Sequence, residues 1–205
     1  MLTKVLLVIW PLLVSACAYL YKKKQNGPNP MTGGPISKPK AFWLAYTVTT
    51  WFFLPFLFIF SPDVIVPIKY VIAFHLLSWW ARGPLELVMI YKWFNWTPRY
   101  GISHDIFHIV GLVSLYYINR ENFINLTPMS NMALAFIFVT TLATVAEISF
   151  AYLFLKARSE AEEKDNIYFA SDDPKWIFIN RLTLTVVCGV MAHLICQAVY
   201  ALLVL

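Results

Sequence analysis

Charged side chains are scarce in this sequence, at 13% of its 205 residues. A soluble domain usually carries about a quarter charged residues, so water is not the main solvent of this chain. Hydrophobic residues account for 60%. They form long runs separated by short polar loops, which leave no room for a separate soluble module. The composition therefore predicts an integral membrane protein whose main partner is the lipid bilayer.

The sequence also has few cysteines and no extended basic surface. Cys17, Cys188 and Cys196 all lie inside apolar runs, a pattern that indicates neither a disulfide framework nor a cysteine zinc site. The net charge of +5 comes from Lys and Arg that lie mostly in loops, without the interleaved aromatics of a nucleic-acid-binding protein. We expect no nucleic-acid partner.

Six apolar segments predict an all-α fold. Each is close to the roughly 20 residues that a helix needs to cross the hydrocarbon core of a bilayer. Their approximate bounds are 3–20, 42–61, 66–95, 102–119, 131–155 and 175–204. The chain is therefore predicted to be a single domain, residues 1–205, with about six transmembrane helices.

The basic residues are distributed unevenly between the two ends of these segments. Cytoplasmic loops retain Lys and Arg, and this bias sets membrane orientation. One side carries Lys22, Lys23, Lys24, Lys38, Lys40, Lys92, Arg99, Lys156, Arg158, Lys164 and Lys175, and the other carries Lys4, Lys69 and Arg120. The bias predicts a location in the inner (cell) membrane with both termini outside the cytoplasm.

A competing interpretation concerns the first 17 residues. Val14-Ser-Ala-Cys17 follows an apolar stretch and resembles a lipoprotein cleavage site. Cleavage there would invert the topology of the remaining five helices. It would also require the export of Lys22, Lys23 and Lys24, against the positive-inside rule.

Ionisable residues inside the predicted helices are the main functional candidates, because charges are costly within a bilayer. At a rise of 1.5 Å per residue, Glu86, His108 and Glu147 should each lie roughly 10–14 Å from the cytoplasmic boundary. Three helices therefore offer these groups at one level. The other candidates are His75, Arg82, His104, Asp105, Arg181 and His193.

The same estimate orders the remaining candidates by depth. It places His104, Asp105 and Arg181 at about 5–9 Å, and Arg82 deeper, at about 20 Å. His75 and His193 fall near the opposite face, at about 27–30 Å. We therefore expect a polar funnel that opens to the cytoplasm. His75 and His193 should form a separate pair.

Residues His104 and His108 are four apart, so one face of a helix should present both rings, as a shared metal ion requires. Glu147 continues a polar stripe with Thr140 and Thr144, which should face inward. Two histidines and a carboxylate suit zinc or iron. The predicted metal ligands are therefore His104, His108 and Glu147.

Residues Ser103 to His108 read Ser-His-Asp-Ile-Phe-His. This string is similar to the Ser-His-x-x-x-His element of the seven-helix zinc amidases and progestin/adipoQ receptors, in which paired histidines bind zinc near the cytoplasmic face. The similarity covers six residues. It implies a zinc-ligating role for His104 and His108.

The leading functional hypothesis is a small membrane enzyme with a cytoplasm-facing polar cavity, metal-assisted and acting on a lipid or isoprenoid-like substrate. In this scheme Glu86 or Glu147 completes the site or acts as base, and Arg181 receives substrate charge.

Three alternatives remain open. A b-type haem would need histidines from two helices, for which His75 and His193 match in depth. An ion or proton transporter or channel would use Glu86, Glu147 and Arg181 as its path. A structural subunit would keep these charges paired and inert.

Overall fold

The computed structural model describes residues 2–24, 38–93, 98–160 and 174–205, and these ranges contain no β-strand. The all-α prediction is confirmed. The helices are α1 (Leu2–Lys24), α2 (Lys38–Tyr46), α3 (Leu54–Phe60), α4 (Val66–Tyr91), α5 (Pro98–Asn119), α6 (Pro128–Glu160) and α7 (Pro174–Val204).

Five helical segments are long and apolar enough to cross a membrane. One of them, Lys38–Phe60, joins α2 to α3 through a π-helical turn at Thr47–Trp51. The others are carried by α1, α5, α6 and α7. With α4, which has 26 residues but more polar side chains, the fold contains six helical segments, as the sequence predicts.

Proline marks the first turn of several helices. Pro98, Pro128 and Pro174 are the first residues of α5, α6 and α7, a position where the missing N–H of proline costs no helical hydrogen bond. Pro84 instead lies inside α4. It leaves the carbonyl four residues before it without its helical donor, yet the helix continues to Tyr91.

The first half of α1 belongs to the hydrophobic core. Leu7, Trp10 and Val14 are buried, in a helix that packs against α2 and α7. The Trp10 indole N–H donates to Thr50 Oγ1 at 3.2 Å. These side chains all precede Cys17, so cleavage there would remove part of the core, and the packing does not favour the lipoprotein interpretation.

Hydrogen bonds tie the start of α6 to the α3–α4 connection. The Thr127 hydroxyl donates to the Asp63 carbonyl, and the Ile65 amide donates to Ser130 Oγ at 3.1 Å. Ser130 also donates its amide to Thr127 Oγ1 at 3.0 Å. These bonds fix the relative height of α4 and α6, on which the candidate site depends.

Two glycines let α5 lie close to α4. A Cβ at Gly101 would lie 2.9 Å from Arg82 Nη2, and one at Gly111 would lie 2.2 Å from Phe74 Cζ. The two helices run antiparallel, and the last turn of α4 continues past the first residue of α5, Pro98. This offset places polar residues of the two helices side by side.

Candidate functional site

Arg82 lies at the centre of a charged cluster formed by three helices. Its Nε is 2.9 Å from Glu86 Oε1 on α4, and its Nη2 is 3.3 Å from Glu147 Oε1 on α6. Its Nη1 pairs with Asp105 Oδ1 on α5. One guanidinium therefore contacts three carboxylates. We call these four residues, together with His104, the outer cluster.

Burial within the outer cluster is graded. The side chains of Arg82 and Asp105 are 5% and 1% exposed, whereas those of Glu86 and Glu147 are 20% and 22% exposed. The two glutamates therefore lie at the more exposed end of the outer cluster, which we call the mouth. Lys40 reaches this end of the bundle from α2, close enough for its charge to act on Glu147. Even with Lys40 counted, carboxylates outnumber cations.

His104 extends the outer cluster along α5. Its Nδ1 lies 3.2 Å from Asp105 Oδ1. Its Nε2 lies 2.9 Å from Ser78 Oγ and 3.1 Å from the Ser78 carbonyl oxygen on α4. Both ring nitrogens are thus engaged, which fixes the orientation of the imidazole between the carboxylate and α4.

His75 and His108 form a second polar group, the inner pair, farther from the mouth. His75 Nδ1 lies 3.2 Å from His108 Nε2, and the Trp79 indole N–H donates to the same nitrogen at 3.2 Å. Both histidines are fully buried. His75 Nε2 and His108 Nδ1 have no hydrogen-bond partner among the described residues.

Imidazole and indole rings connect the outer cluster with the inner pair. His104 and His108 are stacked, with centroids 5.9 Å apart and planes 11° from parallel. Trp79 lies beside both rings, at 5.2 Å and 5.4 Å between centroids, and the Arg82 guanidinium carbon lies 4.8 Å from its ring centre. Trp79 therefore contacts the outer cluster and the inner pair at once.

Glu86 and Glu147 both contact Arg82, as their common predicted level implies. The prediction that His108 lies at this level is wrong, because His108 pairs with His75 farther from the mouth. The expected depth of Arg82 was misleading, because the estimate followed its Cα, whereas its long side chain reaches along α4 to Glu86. Asp105, considered as a ligand alternative, is the most buried carboxylate of the outer cluster.

The prediction that His75 lies apart from His108 is wrong. The estimate assumed that α4 and α5 end at the same level, but α4 projects past the start of α5. This shift moves His75 down to the level of His108. The other contacts of His75 are with the rings of Trp51, Trp79 and Phe136.

Two predicted residues on α7 take no part in the described network. Arg181 is exposed and is absent from the ion pairs that the structure describes. His193 is half-buried, and its Nε2 has no partner among the described residues. His75 is bonded to His108 instead, so the haem hypothesis gains no support from these contacts.

The predicted ligand set of His104, His108 and Glu147 does not form a metal site. Within the described ranges, no group of three or more His, Cys, Asp or Glu side chains is arranged to hold a metal ion. The guanidinium of Arg82 contacts all three carboxylates, so its positive charge would repel a cation bound by them. Thr140 and Thr144 are buried as expected, but their hydroxyls donate to carbonyls of their own helix.

Ser78 and Trp79 belong to the network but were missed from the sequence. Neither residue was among the functional candidates predicted from the sequence. A signal was present, because polar and aromatic residues recur on α4 at helical spacing, which predicts one continuous face. The residues of this face are His75, Ser78, Trp79, Arg82 and Glu86.

No family model, curated protein or solved structure matches this chain. The local similarity of Ser103–His108 to zinc-binding membrane proteins therefore has no counterpart over a longer stretch. Function is inferred from the side-chain geometry alone.

Proposed function

We propose that this protein moves protons across the membrane, as a proton transporter or channel that uses the outer cluster and the inner pair. The observation that carries the proposal is the contact of Arg82 with three carboxylates from three helices, one of which also touches His104. Ionisable groups inside a membrane are expensive, and in membrane proteins they commonly form proton relays.

The roles follow from the chemistry of each side chain. Arg82 positions the carboxylates and is not itself a carrier, because a guanidinium stays protonated in proteins. A proton enters at Glu86 or Glu147, whose side chains are partly exposed, and passes to Asp105. His104 Nδ1, 3.2 Å from Asp105 Oδ1, is the next acceptor.

The inner pair continues the path. The rings of His104 and His108 are stacked with centroids 5.9 Å apart, and in this proposal rotation of a ring about its Cβ–Cγ bond precedes transfer of the proton from His104 to His108. His75 first changes to the tautomer with its hydrogen on Nε2, and His108 Nε2 then passes the proton to the bare His75 Nδ1, 3.2 Å away. The unpartnered His75 Nε2 is the exit toward the other face.

We also propose that the mouth faces the cytoplasm and that both termini lie outside, in an inner (cell) membrane. Support comes from the Lys and Arg residues at the ends of α1, α4 and α6 and at the starts of α2 and α5, at the end of the bundle where Glu86 and Glu147 are partly exposed. Reporter fusions at Ser37 and Glu162 should both behave as cytoplasmic. Periplasmic behaviour of both would reverse the orientation.

Proton flux into liposomes tests the function. The purified protein is reconstituted with a pH-sensitive dye inside, and a potassium diffusion potential drives proton entry. We expect flux above that of empty liposomes, and its loss in Asp105→Asn, which removes the central acceptor. Ser149→Ala, at an exposed position on α6, is the matched control and should conduct normally. Wild-type liposomes no leakier than empty ones would refute the proposal.

A second candidate is a membrane hydrolase acting on a lipid or isoprenoid-like ester. It is favoured by one arrangement, Ser78 Oγ 2.9 Å from His104 Nε2, with His104 Nδ1 3.2 Å from Asp105. A nucleophile, a base and an orienting acid are linked in this order in serine hydrolases. Labelling by a fluorophosphonate in the wild type, and not in Ser78→Ala, would favour this candidate.

A metal-assisted form of such an enzyme would require Arg82 to give up its contacts with the three carboxylates. Elemental analysis of detergent-purified protein addresses it directly. Zinc or iron near one atom per chain, lost in a His104→Ala and His108→Ala double variant, would revive this form.

A further inference from the structure

We infer that His104 and Asp105 together hold one more proton than a neutral imidazole and an ionised carboxylate would, with a hydrogen on His104 Nε2 and another between His104 Nδ1 and Asp105 Oδ1. The inference deepens the proposed proton path and rests on it for its functional meaning, since it identifies where the path stores a proton at rest.

The Ser78 carbonyl determines the first hydrogen. A carbonyl oxygen can only accept a hydrogen bond, and this one lies 3.1 Å from His104 Nε2. A bare Nε2 would bring two acceptors into contact in a site where unpaired polar atoms are costly. With a hydrogen on Nε2, the contacts to the Ser78 carbonyl and to Ser78 Oγ are both favourable.

The second hydrogen follows from the first. A neutral imidazole carries a single N–H, so a hydrogen on Nε2 leaves Nδ1 bare. Bare Nδ1 would then face Asp105 Oδ1 at 3.2 Å, again as two acceptors. A proton between them removes this conflict, whether it is written as imidazolium with carboxylate or as imidazole with carboxylic acid. The proton belongs to the pair.

The surrounding charges favour the same extra proton. The ionisable groups that face His104 and Asp105 are Arg82 and Glu86 on α4, His108 on α5 and Glu147 on α6, with Lys40 on α2 beyond Glu147. When Asp105 itself is counted, three carboxylates face two cations. Excess negative charge at a buried site favours proton uptake.

The inner pair differs, because its contacts are satisfied without an added proton. An indole N–H can only donate, so Trp79 makes His108 Nε2 an acceptor, with the hydrogen on Nδ1. His75 Nδ1 then donates to the same Nε2 and leaves His75 Nε2 bare. Both rings are neutral, and the stored proton is confined to the outer cluster.

Solid-state nitrogen NMR of the full-length protein in lipid bilayers tests the assignment. Histidine is labelled with ¹⁵N, and His104→Gln identifies the His104 signals. We expect a protonated Nε2 and either a protonated Nδ1 or an infrared band of a protonated carboxyl group that disappears in Asp105→Asn. In Asp105→Asn itself, His104 should become a neutral ring that keeps its Nε2 hydrogen.

Ser78→Ala is the matched control, because it removes Oγ and keeps the carbonyl, so His104 Nε2 should stay protonated and the protonation of Nδ1 and Asp105 should stay as in the wild type. Unchanged His75 and His108 signals report that each variant is folded. A bare Nε2 in the wild type, or a neutral His104 beside an ionised Asp105, overturns the inference. Flux in liposomes is a separate readout, since absent flux with the stored proton present refutes only the proposed function.

Discussion

The outer cluster and the inner pair handle polar groups inside the membrane in different ways. In the outer cluster, three carboxylates share one guanidinium, and two of them, Glu86 and Glu147, are partly exposed. In the inner pair, the fully buried His75 and His108 are surrounded by aromatic rings. The comparison suggests that charge is kept near the mouth, and that only neutral hydrogen-bonding rings continue inward.

The largest expected effect comes from removing the cation of the outer cluster. Arg82→Gln leaves three carboxylates without their partner, and breaking a buried ion pair on one side typically costs about 3–5 kcal/mol. We expect a large fall in the temperature of unfolding in detergent. Arg181→Gln, at an exposed position on α7, should change it little.

Equal unfolding temperatures of Arg82→Gln and Arg181→Gln would contradict this prediction. A double variant, Arg82→Gln with Glu147→Gln, removes one of the stranded carboxylates and should recover part of the loss. Recovery would identify uncompensated charge, and not lost packing against Trp79, as the cause.

A smaller effect is expected at the inner pair, where packing dominates. Gly111→Ala places a Cβ 2.2 Å from Phe74 Cζ, and Phe74 stacks on His108 with centroids 5.9 Å apart. Overpacking typically costs about 1–3 kcal/mol. Thermal unfolding should show the loss.

Gly189→Ala is the control for Gly111→Ala, because nothing lies within 4 Å of its added Cβ. It should be neutral or slightly stabilising, since alanine favours helices over glycine by about 1 kcal/mol. Equal effects of the two substitutions would mean that α5 and α4 are not in close contact near the inner pair.

The smallest expected effect is at Trp79, which touches both groups. Trp79→Phe keeps most of the ring and removes the indole N–H that donates to His108. A neutral hydrogen bond contributes about 0.5–1.5 kcal/mol. We expect a small loss of stability and, in the ¹⁵N spectrum, changes at His108 with His104 unaltered. Changes at His104 alone would contradict the separation of the two groups.

Sequence reasoning predicted the level of Glu86 and Glu147 because helical rise is regular. It could not predict the partner of His75, which depends on how far α4 projects past α5. That offset goes with the close approach of α5 to α4 at Gly101 and Gly111. None of these contacts has a signature in the hydropathy pattern.

The role of Arg82 was also beyond sequence reasoning, for a different reason. Its spacing from Glu86 indicated a local ion pair, and this pair exists at 2.9 Å. The two further carboxylates come from α5 and α6, and only the packing of these helices brings them to the same guanidinium. A metal site was predicted because the pattern of histidines and carboxylates does not reveal that one arginine pairs with all three carboxylates.

The central claim is that the outer cluster loads a proton and the inner pair passes it on. The most direct measurement compares proton uptake and transmembrane flux in one set of liposomes, with uptake followed by the infrared bands of carboxyl groups after a pH jump. His75→Leu should keep the uptake and lose the flux, whereas Asp105→Asn should lose both. Normal flux in His75→Leu, or normal uptake in Asp105→Asn, would contradict the account.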